Sequence, residues 1–397
     1  MNLRRPSAFL LAMQLLTSCS LWQSPPYESG APVVKTIVEA LPEASSTKLE
    51  RKTSTIAELI DEWEGVQLGA QGSDLGFDIA NRLAQLRLTL MEDELAEGET
   101  NFNEPLGTLR TLRDLAEDES VQASVDYQLA RVLSMSGQQE PMLDSLTDSI
   151  ATSGSHELVL EAQFRRAEVQ FSRDKYKQAK FDFEAVASTP GTYRLHAFYM
   201  LSWSRFKLSD PEGALYASKE AFTLLAASED VRYSDLKQDL LRVTILALDY
   251  LDGPETLAAM MAEVAKPSWQ TDVYRALGDW YLVKQRFNDS AQTWQTFLVE
   301  NPLNASAPDI AMEVIETQRE AGFTDDIPEL EREFIQRYGK QSDFYDLHGE
   351  EVFHRYEILL KNMLVRYAQR LHADAQQSQT ALAYETTASG YALWSAN

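Results

Sequence analysis

The side chains best suited to metal or acid–base chemistry in this chain of 397 residues are its five histidines, His156, His196, His348, His354 and His372. Zinc sites of the His-Glu-x-x-His type need two histidines on adjacent turns of one helix, and no pair in the sequence has that spacing. Glu351 and His354 have the Glu-x-x-His spacing of a di-iron helical bundle, but such a site needs a second pair, which the sequence lacks. The sequence therefore predicts no metal site and no cofactor.

Nucleophilic and phosphate-binding motifs are also absent from the sequence. It contains no Gly-x-Ser-x-Gly elbow, and the glycines Gly69, Gly72 and Gly76 are not followed by the lysine of a phosphate-binding loop. Adjacent carboxylates are common, as expected by chance for a chain with 61 Asp and Glu. We therefore predict no catalytic residue and no enzyme; the alternative would need a cleft that joins His348 and His354 to carboxylates.

The only cysteine, Cys19, follows a short apolar segment near the start of the chain. Arg4 and Arg5 precede the apolar run 8–16, an order typical of a secretory signal, and this run is too short to span a bilayer as a helix. The residues Leu16-Thr17-Ser18-Cys19 resemble the lipobox of bacterial lipoproteins. This resemblance implies a signal peptide over 1–18 and attachment of lipid to Cys19; the alternative is an ordinary cleaved signal with Cys19 as a bystander.

The lipoprotein resemblance also implies a location. Ser20, rather than Asp, follows the cysteine, which fits the family's rule for sorting to the outer membrane, with the protein facing the periplasm of the cell envelope. Acyl chains such as palmitate anchor a protein through the burial of their methylene groups, without a spanning helix. The expected contact with the membrane is therefore the N-terminal lipid alone.

Residues 19–52 carry Pro25, Pro26, Pro32 and Pro42 among Ser, Thr, Glu and Ala, and predict a disordered tether. The whole chain has 36 Lys and Arg against 61 Asp and Glu, a formal charge of −25. Nucleic-acid affinity depends on clustered basic side chains that neutralise phosphates, so we expect no nucleic-acid partner. A protein partner with a basic segment fits this charge.

From residue 53 onward the apolar residues recur at helical spacing. Ile56, Leu59, Ile60 and Trp63 form one such stripe, and residues 53–120 predict N-terminal helices or a degenerate repeat. No segment shows the alternation expected of a strand. The predicted fold class is therefore all-α, without significant sheet.

Residues 271–304 resemble a tetratricopeptide repeat (TPR), a helix–turn–helix unit of about 34 residues. Small and aromatic positions let the two helices of such a unit pack closely. The positions that match the family spacing, and that we expect to pack the repeat, are Tyr274, Leu277, Gly278, Tyr281, Phe287, Trp294 and Pro302.

Neighbouring segments keep the period. The small residues Ala167, Ala179 and Ala214 fall at packing positions, and the shift from Ala179 to Ala214 is 35 residues. The resemblance implies a TPR-like solenoid of helical hairpins over 121–340, wound as a right-handed superhelix. Two short runs, Asn301–Phe323 and Arg370–Gln376, also look like segments of proteobacterial cell-envelope TPR proteins.

Residues 341–397 predict further helices, one of them over 351–375. Apolar residues near the end of the chain, among them Tyr391 and Trp394, need a neighbour to cover them. Three alternatives are open: the last helix folds back on the array, it docks a partner, or it belongs to an incomplete further repeat.

These features predict a membrane-anchored scaffold for protein–protein interaction, with a partner bound in the concave groove of the solenoid. A glycan- or small-solute-binding lipoprotein of the helical-repeat type is the alternative. It needs several exposed aromatic side chains in one groove, and the aromatics that fall outside the repeat-packing pattern are the candidates. They are Tyr199, Trp203, Trp269 and Trp280.

Overall fold

Helices make up almost all of the protein that the computed structural model describes. The described residues are 55–70, 74–97, 101–228, 233–264 and 267–396, so the predicted signal segment, Cys19 and tether lie outside them. They contain eighteen α-helices and no strand. These are α1 (Ile56–Ala70), α2 (Asp74–Glu97), α3 (Asn103–Leu115), α4 (Glu119–Met135), α5 (Gln139–Thr152), α6 (His156–Ser172), α7 (Tyr176–Ala187), α8 (Arg194–Lys207), α9 (Pro211–Ser228), α10 (Ser234–Tyr250), α11 (Gly253–Ala262), α12 (Gln270–Val283), α13 (Phe287–Glu300), α14 (Ala307–Glu320), α15 (Ile327–Tyr338), α16 (Asp343–Phe353), α17 (Glu357–Ser378) and α18 (Ala381–Ala396).

The helices pack mainly against their neighbours in the chain. From α4 to α15 they form successive hairpins, in which α4, α6, α8, α10, α12 and α14 are the first helices and α5, α7, α9, α11, α13 and α15 the second helices. Along the middle of the array, α8 also contacts α10 and α10 contacts α12, so first helices lie beside first helices. This arrangement confirms the predicted all-α, TPR-like solenoid of helical hairpins.

In five of the hairpins, the turn between the two helices has the same geometry. One residue takes a left-handed conformation, and the amide N–H of the next residue donates to the carbonyl five residues before it, as in a Schellman motif. In the first such turn Gly137 has φ 73° and the N–H of Gln138 donates to the carbonyl of Leu133 at 2.8 Å. The corresponding left-handed residues in the other four turns are Asp174, Ser209, Gln285 and Gly322.

Small residues let the two helices of a hairpin approach each other. Ala167, Ala179 and Ala214 are fully buried in a core that runs from α6 to α17. Gly278 on α12 lies against the ring of Trp294 on α13, and its carbonyl accepts a hydrogen bond from Oγ of Ser290 at 3.0 Å. A smaller, separate core fills the space among α2 to α6.

The predicted packing residues of 271–304 differ in how far they are buried. Tyr274, Leu277, Gly278, Tyr281 and Trp294 are buried. Phe287 is only half-buried because it is the first residue of α13, and Pro302 is exposed just beyond the end of that helix. Pro302 therefore follows the helix end, where proline cannot continue a helix, and is not a packing residue.

The C-terminal helices differ from the predicted single helix over 351–375. The helix α16 ends at Phe353 and α17 begins at Glu357, so a short turn separates them. The last helix, α18, folds back on α17: Oγ1 of Thr387 donates to the carbonyl of Leu371 at 2.8 Å, and Gly390 lies against the same leucine. Within the described part of the chain, no helix is both long and apolar enough to cross a bilayer.

Candidate functional site

The first helices carry a row of aromatic side chains that donate hydrogen bonds to carboxylates. On α6, Oε1 of Glu161 accepts a hydrogen bond from Oη of Tyr127 on α4 at 2.6 Å and another from Oη of Tyr193, which precedes α8, at 2.8 Å. All three side chains are partly exposed. One carboxylate therefore joins three consecutive hairpins at their surface.

These contacts fix the protonation of the two tyrosines. Burial and the charge of Glu161 both raise the pKa of Tyr127 and of Tyr193 above the usual value. The phenols thus stay protonated and donate to the carboxylate at neutral pH. The second oxygen of Glu161, Oε2, accepts no hydrogen bond within the described residues, and the charge of Arg165 acts on both tyrosines.

A second carboxylate accepts hydrogen bonds from aromatic side chains between α8 and α10. Oδ2 of Asp239 accepts a hydrogen bond from Oη of Tyr199 at 2.5 Å and from Nε1 of Trp203 at 2.8 Å. The guanidinium of Arg242 lies 5.7 Å from the centre of the Trp203 ring, which favours a cation–π contact. We call the set Tyr127, Glu161, Tyr193, Tyr199, Trp203 and Asp239 the aromatic–carboxylate strip.

An ion pair on α6 and a histidine on α8 lie near the tyrosines that hold Glu161. Nη1 of Arg165 lies 3.1 Å from Oε2 of Glu168 on the same helix. Burial, together with the positive charge of Arg165, lowers the pKa of His196, and the imidazole packs edge-on against Tyr233 with ring centres 5.7 Å apart. Because Arg165 and Glu168 offset each other and His196 stays neutral, Glu161 gives this part of the surface its net negative charge.

Acidic side chains also lie on α12 and α14, the first helices of the last two hairpins. On α14, Glu313 is half-buried, and burial and the neighbouring Asp279 on α12 raise the pKa of its carboxyl. Glu316 pairs with Arg319, while Glu320 and Asp279 are exposed. Arg275 on the same face lies 3.9 Å from Asp309, so the remaining carboxylates leave the face of α12 and α14 acidic. This face lies next to α10, because α10 contacts α12.

The predicted groove aromatics do not form one exposed platform. Tyr199 and Trp269 are buried, and Trp203 and Trp280 are half-buried. The ring of Trp269 stacks on Phe222 of α9, with ring centres 4.9 Å apart and planes 18° apart, so it is a core residue. Of the four, Tyr199 and Trp203 belong to the candidate site, through their polar atoms rather than through open ring faces.

His348 and His354, the two histidines that an acidic cleft would have needed, lie on α16 and just after it, whereas the strip lies on the helices from α4 to α10. His348 contacts the carbonyl of Leu303 through Nε2 at 2.8 Å, and His354 contacts the carboxylate of Glu357 through Nδ1 at 2.9 Å. Over the described ranges, no group of three or more His, Cys, Asp or Glu side chains is placed to hold a metal ion. The structure does not join these histidines into a cleft with the strip.

Sequence reasoning missed Glu161, Tyr127 and Asp239 as site residues. The repeat register did carry a signal: Tyr127, Glu161 and His196 follow one another at intervals of 34 and 35 residues. Glu161 comes directly before the buried Ala162, and His196 directly before the buried Ala197. Equivalent positions of a repeat lie on the same face of successive first helices. Aligning the units would therefore have brought these polar side chains together.

No protein-family model matches the sequence, and no curated protein matches it. Among similar solved structures, the C-terminal part of a TPR repeat-containing protein from Cytophaga hutchinsonii is 15% identical over 64% of this chain and 94% of that chain, with a TM-score of 0.36. A tetratricopeptide repeat protein from Parabacteroides merdae is 13% identical over 71% of this chain and 98% of that chain, with a TM-score of 0.35. Aspartyl phosphate phosphatase F from Bacillus subtilis is 11% identical over 88% of this chain and 96% of that chain, with a TM-score of 0.30. These similarities are weak, and the fold assignment rests on the hairpins of the chain itself.

Proposed function

We propose that this protein is a lipid-anchored, non-enzymatic scaffold of a bacterial cell envelope that docks a protein segment with basic side chains on its first helices. The observation that carries the proposal is Glu161, whose Oε1 accepts hydrogen bonds from Tyr127 and Tyr193 while Oε2 accepts none within the described residues. A carboxylate fixed in this way is preorganised to accept a lysine or arginine, because little side-chain conformational entropy has to be lost when the partner binds. On α10, Oδ2 of Asp239 is held in a similar way by Tyr199 and Trp203, while its Oδ1 lies 3.8 Å from Nη1 of Arg242.

The spacing of the acidic groups favours an extended ligand. Glu161, Asp239 and Glu313 lie on α6, α10 and α14, so successive carboxylates are two hairpins apart. Basic side chains spread along a peptide could engage them together, and the net charge of −25 would accelerate the encounter. The half-buried rings of Tyr127 and Tyr193 beside Glu161, and of Trp203 beside Asp239, border the carboxylates that the partner would contact.

Crosslinking in intact cell envelopes tests the docking surface. The full chain is compared with Glu161→Gln and Asp239→Asn, which keep the hydrogen-bond acceptors but remove the charges, and with Glu212→Gln on the exposed side of α9 as the matched control. We expect a protein crosslinked through a segment rich in Lys or Arg, lost from both strip variants and kept by the control. Capture that is equal in all four proteins would contradict the proposal.

Fractionation tests the anchor separately. The proposal requires lipid on Cys19, within the Leu16-Thr17-Ser18-Cys19 motif. Cys19→Ala should move the protein from the membrane to the soluble periplasmic fraction, whereas Ser24→Ala should leave it on the membrane. A membrane-bound Cys19→Ala protein would refute the anchor and leave the docking test unaffected.

A further inference from the structure

An open cavity of about 430 Å³ lies along the first turns of α7. Its walls come from α6 and α7, through Arg166, Gln170, Lys177, Gln178, Phe181 and Asp182. The guanidinium of Arg166 donates to Asp182 and, through Nη1, to Oγ1 of Thr147 on α5 at 3.1 Å. Because α6 packs against both α5 and α7, the cavity lies beside α6 in the space between these two second helices. We call it the α7 groove.

Phe181 gives the α7 groove an aromatic ring that is 69% exposed. The equivalent ring in the next hairpin is Tyr216, the sixth residue of α9 as Phe181 is of α7. The guanidinium of Arg205 lies 5.9 Å from the centre of the Tyr216 ring, and the ammonium group of Lys219 lies 5.4 Å from it. At the position of Arg205, 35 residues earlier, the chain has the uncharged Gln170. Within the described residues no cation and no second ring lies against Phe181, so its exposed face has no such partner.

The chain is basic around the α7 groove, in contrast to the rest of the protein. Residues 173–180 hold four cations and one carboxylate, namely Arg173, Lys175, Lys177, Lys180 and Asp174. Arg173 and Lys180 pair with glutamates of the chain itself, whereas Lys175 and Lys177 are exposed and form no ion pair within the described residues. Since Asp182 offsets the charge of Arg166, these two lysines give the groove and its edge a net positive charge.

We infer that the α7 groove docks an acidic protein segment, which places an apolar side chain on Phe181 and carboxylates beside Lys175 and Lys177. Charge complementarity selects this partner, because a chain with a formal charge of −25 repels an acidic segment over most of its surface. The exposed ring supplies the apolar contact that charge pairs at a surface do not. The inference does not depend on the proposed function, since the strip lies on first helices and this groove on a second helix.

Other anionic partners fit the α7 groove less well. Nucleic acid needs cations spread along a phosphate backbone, and the groove and its edge offer two unpaired lysines. An anionic membrane surface would repel the chain as a whole, because of its net negative charge. A segment of protein can bring one apolar side chain and a few carboxylates to a groove of this size without bringing further charge close to the acidic surface.

Selection from a library of random peptides displayed on phage tests the α7 groove. The full chain carries Cys19→Ala, which removes the site of the proposed lipid, and Glu161→Gln with Asp239→Asn, which remove the charges of the strip. We expect enriched peptides in which several Asp or Glu residues flank a large apolar residue. These peptides are then synthesised, and fluorescence anisotropy measures their affinity for the chain.

Phe181→Ser and Lys177→Glu should each weaken peptide binding at least ~10-fold, because one removes the ring and the other reverses a charge of the groove. Phe181→Tyr keeps the ring and should retain the affinity. The matched controls are Tyr250→Ser at the exposed end of α10 and Lys207→Glu at the exposed end of α8, both outside the groove. Neither control should change the affinity, and circular dichroism checks that every variant keeps its helix content.

Three results would overturn the inference. The first is a selection that enriches no acidic peptide. The second is binding that Phe181→Ser and Lys177→Glu weaken no more than Lys207→Glu does. The third is a membrane role: vesicles of phosphatidylglycerol that bind the chain through Phe181, when no acidic peptide is enriched, would assign the groove to a lipid surface instead.

Discussion

Gly278 lies so close to the indole of Trp294 that a Cβ on the glycine would meet Cζ2 of the ring at 2.2 Å. This contact joins α12 to α13 at the point where the two helices cross, and the hydrogen bond from Ser290 to the Gly278 carbonyl lies beside it. The large, fully buried ring leaves no room for either partner to move. The pair therefore fixes the geometry of this hairpin.

Gly278→Ala should destabilise the protein by about 1–3 kcal/mol, because the added methyl group forces the Trp294 ring or the helix to shift. Equilibrium unfolding in urea measures the change in the free energy of unfolding. The matched control is Gly107→Ala in the middle of α3, where a Cβ would meet nothing within 4 Å. It should stabilise the protein by about 0.5–1 kcal/mol, since alanine is the better helix former; equal effects at the two sites would contradict the close contact.

A buried carboxylate on α7 provides a second prediction. Asp182 accepts two hydrogen bonds from Arg166 on α6, at 2.8 Å each from Nε and Nη2. Asp182→Ala should cost about 3 kcal/mol of unfolding free energy, because it leaves the largely buried guanidinium without its partner.

The comparison for Asp182→Ala is Glu329→Ala on α15. Glu329 pairs with Arg332 on the same helix, and both are exposed to solvent. Exposed pairs on one helix contribute little, so this variant should unfold at nearly the wild-type urea concentration. Similar losses from the two variants would mean that the Asp182 pair is no more important than a surface pair.

Alkaline pH should destabilise the protein through its buried tyrosines. Burial raises the pKa of Tyr338 to about 12, whereas the unfolded value is about 10. Since the folded pKa is the higher one, the contribution to stability is complete below pH 10 and is lost as the pH rises through 12. Tyr338→Phe should make the unfolding free energy fall less steeply between about pH 10 and pH 12.

The control for the alkaline experiment is Tyr250→Phe. Tyr250 lies at the exposed end of α10, so its replacement should leave the pH dependence unchanged. A Tyr338→Phe protein with the wild-type slope would show that this phenol ionises as easily in the folded state as in the unfolded one.

The left-handed turn residues offer a stabilising substitution. Gln285 has φ 58° in the turn between α12 and α13, a conformation that costs a residue with a Cβ roughly 1 kcal/mol relative to glycine. Gln285→Gly should therefore raise the urea midpoint, and Gln285→Ala, which keeps the Cβ, should not. A lower midpoint for the glycine variant would contradict the turn geometry.

Local patterns explain why the hairpins were predictable. The 35-residue shift between Ala179 and Ala214 and the spacing around Gly278 follow from helix packing rules that act within one repeat. The helix break near Tyr356 was missed because the apolar stripe of 351–375 continues across it. The apolar period alone cannot distinguish one bent segment from two helices.

The candidate site was less accessible to sequence reasoning. Glu161 is one of many acidic residues, and its importance arises only when α4 and α8 bring Tyr127 and Tyr193 to the same oxygen. Trp269 could not be distinguished from a groove aromatic by its position, since its partner Phe222 on α9 lies two hairpins earlier in the chain. Contacts between repeats therefore decide the site, whereas contacts within repeats decide the fold.

The packing of each helix mainly on its neighbours in sequence has a mechanical consequence. Tension applied along the chain would not have to break the whole core at once, because each hairpin can detach from the array as a unit. Released hairpins of about 34 residues would each lengthen the molecule by roughly 100 Å. The array would thus lengthen in steps under tension and refold one hairpin at a time when the tension falls. Its length would then depend on the applied force.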